Sequence, residues 1–163
     1  MSEPILIVTT GGTIDKQYFD ALSRFQIADT MVTNLLAIAR VNHPFFIEEM
    51  LRKDSIDLTD EDRTQIVDQV TRTSFSRIII THGTDTMTLT AQALSGVRDK
   101  TIVLTGALTP ARFSKTDAPF NLGMAFATAQ IATPGVYITV NGSVFPADRV
   151  AKDRERGCFV LKS

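Results

Sequence analysis

Pro4-Ile5-Leu6-Ile7-Val8-Thr9-Thr10-Gly11-Gly12-Thr13 is an aliphatic run that stops at a pair of glycines. That is the pattern of a central strand, buried on both faces, whose chain turns out of the sheet at the carboxyl end. The pattern recurs: Phe45 to Leu51 reads as a second strand, Arg77 to Thr81 as a third around Ile78-Ile79-Ile80, Thr101 to Thr105 as a fourth, Val136 to Val140 as a fifth, and Ser143 to Phe145 as a short sixth. Between them the apolar period changes to that of helices. Asp29, a residue suited to capping, precedes Met31, Val32, Leu35, Leu36 and Ile38. Thr59 and Asp62 form a capping-box pattern ahead of Ile66, Val67 and Val70. Thr86 to Val97 carries Met87, Ala91 and Leu94 on one stripe, and a fourth helix starts at Asp117-Ala118-Pro119 and ends before Pro134-Gly135. Residues 14 to 28 show no period and read as loop.

Alternating helices and nearly uninterrupted apolar strands predict an α/β fold, a doubly wound three-layer α/β/α sandwich around a mainly parallel sheet. At 163 residues the chain fits a single domain, residues 1–163. Arg149 to Ser163 is rich in charge and reads either as a tail or as a sheet-edge strand. Charged residues make up 21% and the net charge is -1, which argues against a nucleic-acid partner or an anionic-membrane binder, since both need a basic excess. The longest clean aliphatic run, Ile5 to Val8, is far short of a membrane span, and Ser2-Glu3-Pro4 does not look like a secretory leader. A lone Cys158 excludes an intrachain disulfide and points to a reducing cytoplasm, and with only His43 and His82 no metal cluster is expected.

In parallel sheets of this kind ligands bind outside the carboxyl ends of the strands, and the unusual polar clusters fall there. They are Thr9 to Thr13 after the first strand, Asp54-Ser55-Ile56-Asp57 after the second, Thr81-His82-Gly83-Thr84-Asp85-Thr86 after the third, Thr105-Gly106 with Thr109-Pro110 after the fourth, and Asn141-Gly142 leading to Asp148, Arg149 and Lys152 after the fifth. Each cluster taken alone has a plainer reading. The glycine pair suits any tight turn, Thr84-Asp85-Thr86 suits helix capping, Ser55 a turn hydroxyl, and Lys152 a solvated side chain. His82 reads as a satisfied junction histidine rather than a base. Together they supply a threonine hydroxyl, a lysine to take its proton and a carboxylate to orient the lysine. Backbone N–H groups at Gly11-Gly12 and the Gly83 turn are candidate oxyanion donors. The glycines match neither a dinucleotide fingerprint nor a phosphate loop with its lysine.

Thr10-Gly11-Gly12-Thr13-Ile14 and Thr81-His82-Gly83-Thr84-Asp85-Thr86-Met87 resemble the two signature motifs of the bacterial-type L-asparaginase and glutaminase family. Thr105-Gly106-Ala107 through Pro110, and Asp117-Ala118-Pro119-Phe120-Asn121-Leu122, are similar to a further family segment, with Ala118 in place of a glycine. Ser55-Ile56-Asp57-Leu58 resembles its substrate-binding serine loop, and Asp148 to Lys152 the stretch that carries its lysine. The resemblance implies Thr13 as nucleophile, Thr84, Asp85 and Lys152 as a proton-shuttling triad, and Ser55 and Asp85 as the grip on the substrate's α-carboxylate and α-amino group. It also implies backbone at Gly12 and Gly83 against the substrate. Tyr18 stands where a loop tyrosine assists the nucleophile, though closer to Thr13 than the family pattern expects. Hydrolysis of the side-chain amide of asparagine, or a related small amide, is the implied activity, with no metal or organic cofactor. The resemblance covers only the first half of the family, whose members run to about twice this length. The expected chain is therefore the N-terminal catalytic domain without the C-terminal one, closing its site as a homodimer. The alternative is an amino-acid-binding module that retains the site without turnover.

Overall fold

Six strands form one sheet in a computed structural model that describes residues 2–162. In chain order its elements are β1 (Ile5–Gly11), β2 (Lys16–Phe19), β3 (Arg24–Ile27), α1 (Val32–Ile38), β4 (Phe45–Lys53), α2 (Asp60–Arg72), β5 (Arg77–Thr81), α3 (Met87–Ala93), β6 (Thr101–Thr105), α4 (Ala118–Ile131), β7 (Gly135–Val140), β8 (Ser143–Pro146), β9 (Val150–Asp153) and β10 (Cys158–Leu161). The sheet runs β4-β1-β5-β6-β7-β8. All neighbours are parallel except β8, which returns antiparallel to β7.

Alternation along the strands builds the two cores of the sandwich. Leu6, Val8, Ile78, Ile80, Ile102 and Leu104 face α2 and α3 through Ile66, Val70, Met87 and Ala91. Ile5, Ile7, Ile79 and Val103 face α1 and α4 through Leu35, Leu36, Leu122 and Ala125. The central strands are buried on both faces, which is why β1, β5 and β6 read as unbroken apolar runs. In-register pairing sets Thr9, Thr81, Thr105 and Thr139 side by side near the strand ends, so the loops beyond them leave from one level.

The order of the five parallel strands places a topological switch between β1 and β5: from β1 the chain crosses to β4 on one side, then passes back over to β5 on the other. That crevice is where open α/β sheets bind ligands. Among the described residues no helix is long and apolar enough to cross a membrane.

Several expectations are corrected. Residues 14 to 28 are not loop: β2 and β3 pair as a hairpin, Tyr18 opposite Phe25, turning through a short 3-10 segment to Ser23 in the left-handed region. Most of its side chains are exposed, so no apolar stripe announces it. Asp29 does not cap α1. Met31 N–H donates to Asp15 Oδ1 (2.9 Å) and Val32 N–H to Thr30 Oγ1 (3.2 Å), while Asp29 pairs with Arg52 at the surface. The helix expected over Thr86 to Val97 is α only through Ala93, then tightens to a 3-10 turn over Leu94–Gly96. The charged terminal stretch is neither a tail nor an edge of the main sheet: β9 and β10 form a separate antiparallel hairpin, with Ser163 outside the described residues. The capping box at Thr59 is present as expected, Thr59 Oγ1 accepting from Asp62 N–H and Asp62 Oδ2 from Thr59 N–H.

Candidate active site

Two glycines bring the switch-point loops into contact. Gly12, at φ 81°, leads from β1 into a 3-10 turn over Thr13–Asp15. A Cβ there would overlap the backbone of Gly83 and His82, so only glycine lets these loops touch. A Cβ on Gly83 would in turn lie 2.6 Å from Cβ and Oγ of Ser55. The loops after β1, β5 and β4 thus meet at Gly12, Gly83 and Ser55. Gly12 N–H is committed to Lys53 O at 2.9 Å, so Gly12 serves this contact by its lack of a side chain and is not an oxyanion donor. The N–H of Gly83 has no acceptor within the protein among the described residues.

The triad assembles across a long sequence separation. Lys152 on β9 sends Nζ to Thr84 Oγ1 at 2.8 Å and to Asp85 Oδ1 at 2.6 Å. Thr84 is buried and the Lys152 side chain nearly so, while Asp85 is half-exposed at the mouth. The Lys152 ammonium holds the Asp85 carboxyl below the ordinary carboxylate range despite some opposing burial. The β9–β10 hairpin carries Lys152, since its pairing with Phe159 anchors the strand to the α2/α3 core.

Ser55 is buried against Gly83 and tied to the start of α3. Thr86 N–H donates to Ser55 Oγ at 3.3 Å, and Thr86 Oγ1 donates to Ser55 O at 2.7 Å. Lys16 on β2 pairs with Asp54 at 2.6 Å, fastening the hairpin to this loop. His82 is fully buried between Gly83 O and Thr90 Oγ1, each 2.7 Å away. Burial chiefly, with some help from the Arg63 cation, pushes it down to about 4, so it stays neutral at physiological pH. It has the structural place its sequence context predicts.

Thr13 follows Gly12 directly and is half-buried, and its hydroxyl has no hydrogen-bond partner within the protein among the described residues. Tyr18 stands on β2, exposed, edge-on to Phe25 at 5.2 Å between centroids, and its hydroxyl makes no hydrogen bond to Thr13. The structure therefore joins Thr84, Asp85 and Lys152 as one cluster and Gly12, Gly83 and Ser55 as another, with Thr13 beside the second and Tyr18 with neither.

Two residues of the site escaped the sequence reading. Asp15, two residues after Thr13, is buried, and burial first of all pushes it up to about 6 against the pull of Met31 N–H, Thr30 and Arg112. Arg63 lies buried on the inner stripe of α2, and the period that selects Ile66 and Val70 also selects position 63.

Residues 4–161 match the family model "Asparaginase, N-terminal". The chain is 35% identical over 162 residues to the glutaminase-asparaginase of Acinetobacter glutaminasificans, covering 91% of this chain and 49% of that protein. It is 30% identical over 165 residues to the L-asparaginase of Thermococcus kodakarensis, covering 98% and 50%. The solved structure of the thermostable L-asparaginase from Thermococcus kodakarensis superposes with a TM-score of 0.84 at 28% identity, over 97% of this chain and 51% of that one. L-asparaginase I from Vibrio cholerae gives the same TM-score and identity over 99% and 52%. The chain spans about half the length of these relatives.

Proposed function

This chain belongs to the asparaginase family through its N-terminal domain, and from that premise we propose that its rim hydrolyses the side-chain amide of L-asparagine or a related small amide, with Thr13 as nucleophile. The observation that carries the reading is Lys152 Nζ bridging Thr84 Oγ1 and Asp85 Oδ1 beside the Gly12–Gly83 contact. A lysine from β9 has no packing reason to reach these two groups, and an acyl-transfer site has a chemical one.

In this mechanism Thr13 Oγ attacks the amide carbon as its proton passes to Thr84 Oγ1, while Thr84 gives its own proton to the free-amine form of Lys152, whose Nζ lies 2.8 Å away. The oxyanion is met by backbone N–H groups, with Gly83 a donor that has no other use. The carbon–nitrogen bond breaks as the amine takes a proton and leaves as ammonia, giving an ester on Thr13. Water, losing its proton along the same route, then releases the acid and restores the hydroxyl. Ser55 and Asp85 hold the α-carboxylate and α-amino group, a division supported by the anionic Asp85 carboxylate at the mouth, which suits an ammonium. Tyr18 assists only if the β2–β3 hairpin moves toward Thr13 when substrate binds.

A second reading is favoured by one observation, the lack of any hydrogen-bond partner on the Thr13 hydroxyl among the described residues: the rim binds an amino acid and turns it over poorly. A panel of amides, asparagine and glutamine included, assayed for ammonia release separates the two. Release from asparagine supports the enzyme. Tight L-aspartate binding by calorimetry with no ammonia from any amide supports the binding module and overturns the enzyme.

We propose further that the chain acts as a homodimer in the cytoplasm. Ile56 next to Ser55 and Leu89 one turn beyond Asp85 are exposed apolar side chains that a second copy would cover, and the free Cys158 fits a reducing compartment.

A further inference from the structure

Arg63 is 8% exposed on the inner stripe of α2 and lies behind the Ser55 wall. Its Nη1 donates to Leu58 O and to Asp60 Oδ1, both at 3.2 Å, and its Nη2 donates to Thr86 Oγ1 at 3.2 Å. Its Nε is buried without an acceptor. A guanidinium has donors only, which fixes the sense of everything beyond it. Thr86 Oγ1 accepts from Arg63 and so spends its own proton on Ser55 O at 2.7 Å. Thr86 N–H donates to Ser55 Oγ at 3.3 Å. Ser55 Oγ is therefore an acceptor within the protein, and its proton is left for a ligand.

The charge behaves consistently with this. Asp60, the carboxylate that pairs with Arg63, is almost fully exposed, so solvent screens much of its field while the cation stays buried. A buried cation with one unmet N–H is an expensive way to fill an inward position that an apolar side chain would fill better. Packing alone does not account for it.

We propose that Arg63 is the positioning residue for the substrate's α-carboxylate, directing the hydrogen bonds of the Ser55–Thr86 wall and supplying the positive charge behind it. The inference rests on the reading of this rim as an amino-acid amide site.

Calorimetric titration of the full chain with L-aspartate and with β-alanine, the same molecule without its α-carboxylate, tests it. Arg63→Gln is expected to weaken aspartate about tenfold or more while leaving β-alanine unchanged, and Arg63→Lys to recover most of the loss. Thr86→Val is expected to give a similar selective loss, and the double variant to be no weaker than either single one, because both act through one chain of bonds. If Arg63→Gln does not fold, Thr86→Val with Arg63→Lys carries the comparison. Unchanged aspartate affinity, or an equal loss for both ligands, overturns the inference while leaving the site reading in place. A wild-type chain that binds neither ligand overturns that reading and the inference with it.

Discussion

Asp15 shows how a single buried group ties down the loop that bears Thr13. Its Oδ1 holds Met31 N–H and Thr30 Oγ1, its carbonyl takes Ala28 N–H and Arg112 Nη1, and its own N–H returns to Gly12 O, so the turn bearing Thr13 is tied to β3, α1 and the loop before α4. Its folded pKa, about 6, lies above the ordinary 3.8. The stability linked to this group is therefore fully present below 3.8 and is lost as pH rises through 6, up to about 3 kcal/mol. Asp15→Asn keeps an acceptor for Met31 and removes the charge. Thermal melts should show the variant gaining stability over wild type at pH 8 and not at pH 3, and an equal loss at both would contradict this role for Asp15. Asp85 is the opposite case, held down by Lys152. In Lys152→Met its carboxyl should titrate higher by NMR, and an unmoved titration would mean that the ion pair does not govern it. At this scale the contact of Lys152 with Thr84 and Asp85 was legible because motif order brings the three together. Arg63 and Asp15 were not, because a charge on a buried position is visible in a sequence only after the period of its element is trusted over its polarity.

Elements were legible where burial was strong. β1, β5 and β6 declare themselves because both faces are covered, and α2 because its capping box and stripe agree. Thr59→Ala should lower stability by about 1 kcal/mol in denaturant melts. Asp29→Ala should stay within about 0.5 kcal/mol, since α1 takes its cap from Asp15 and Thr30 and the exposed Arg52 pair contributes little. The reverse ranking would return Asp29 to the cap. The β2–β3 hairpin was hidden for a physical reason: its strands cover little apolar surface and its turn uses Ser23 instead of the Asn-Gly or Asp-Gly pair that marks a tight hairpin. The β9–β10 hairpin was obscured by its charge, yet it delivers Lys152 to Thr84 from 68 residues away.

For the molecule as a whole, strand order converts local motifs into a site. The β1/β5 switch opens a crevice, glycines at 12 and 83 let three loops meet there, and a hairpin outside the main sheet brings Lys152 to Thr84 from the α2/α3 side. A homodimer should appear as twice the chain mass by light scattering at working concentration, and a monomeric mass would remove the second copy from the account. The claim that joins these scales is that the crevice performs acyl transfer through Thr13. Ammonia release from L-asparagine by the wild-type chain, measured beside Thr13→Ala and Thr84→Ala at matched folding, tests it most directly: the account predicts release by the wild type and its loss in both variants, and undiminished release by either variant would contradict it.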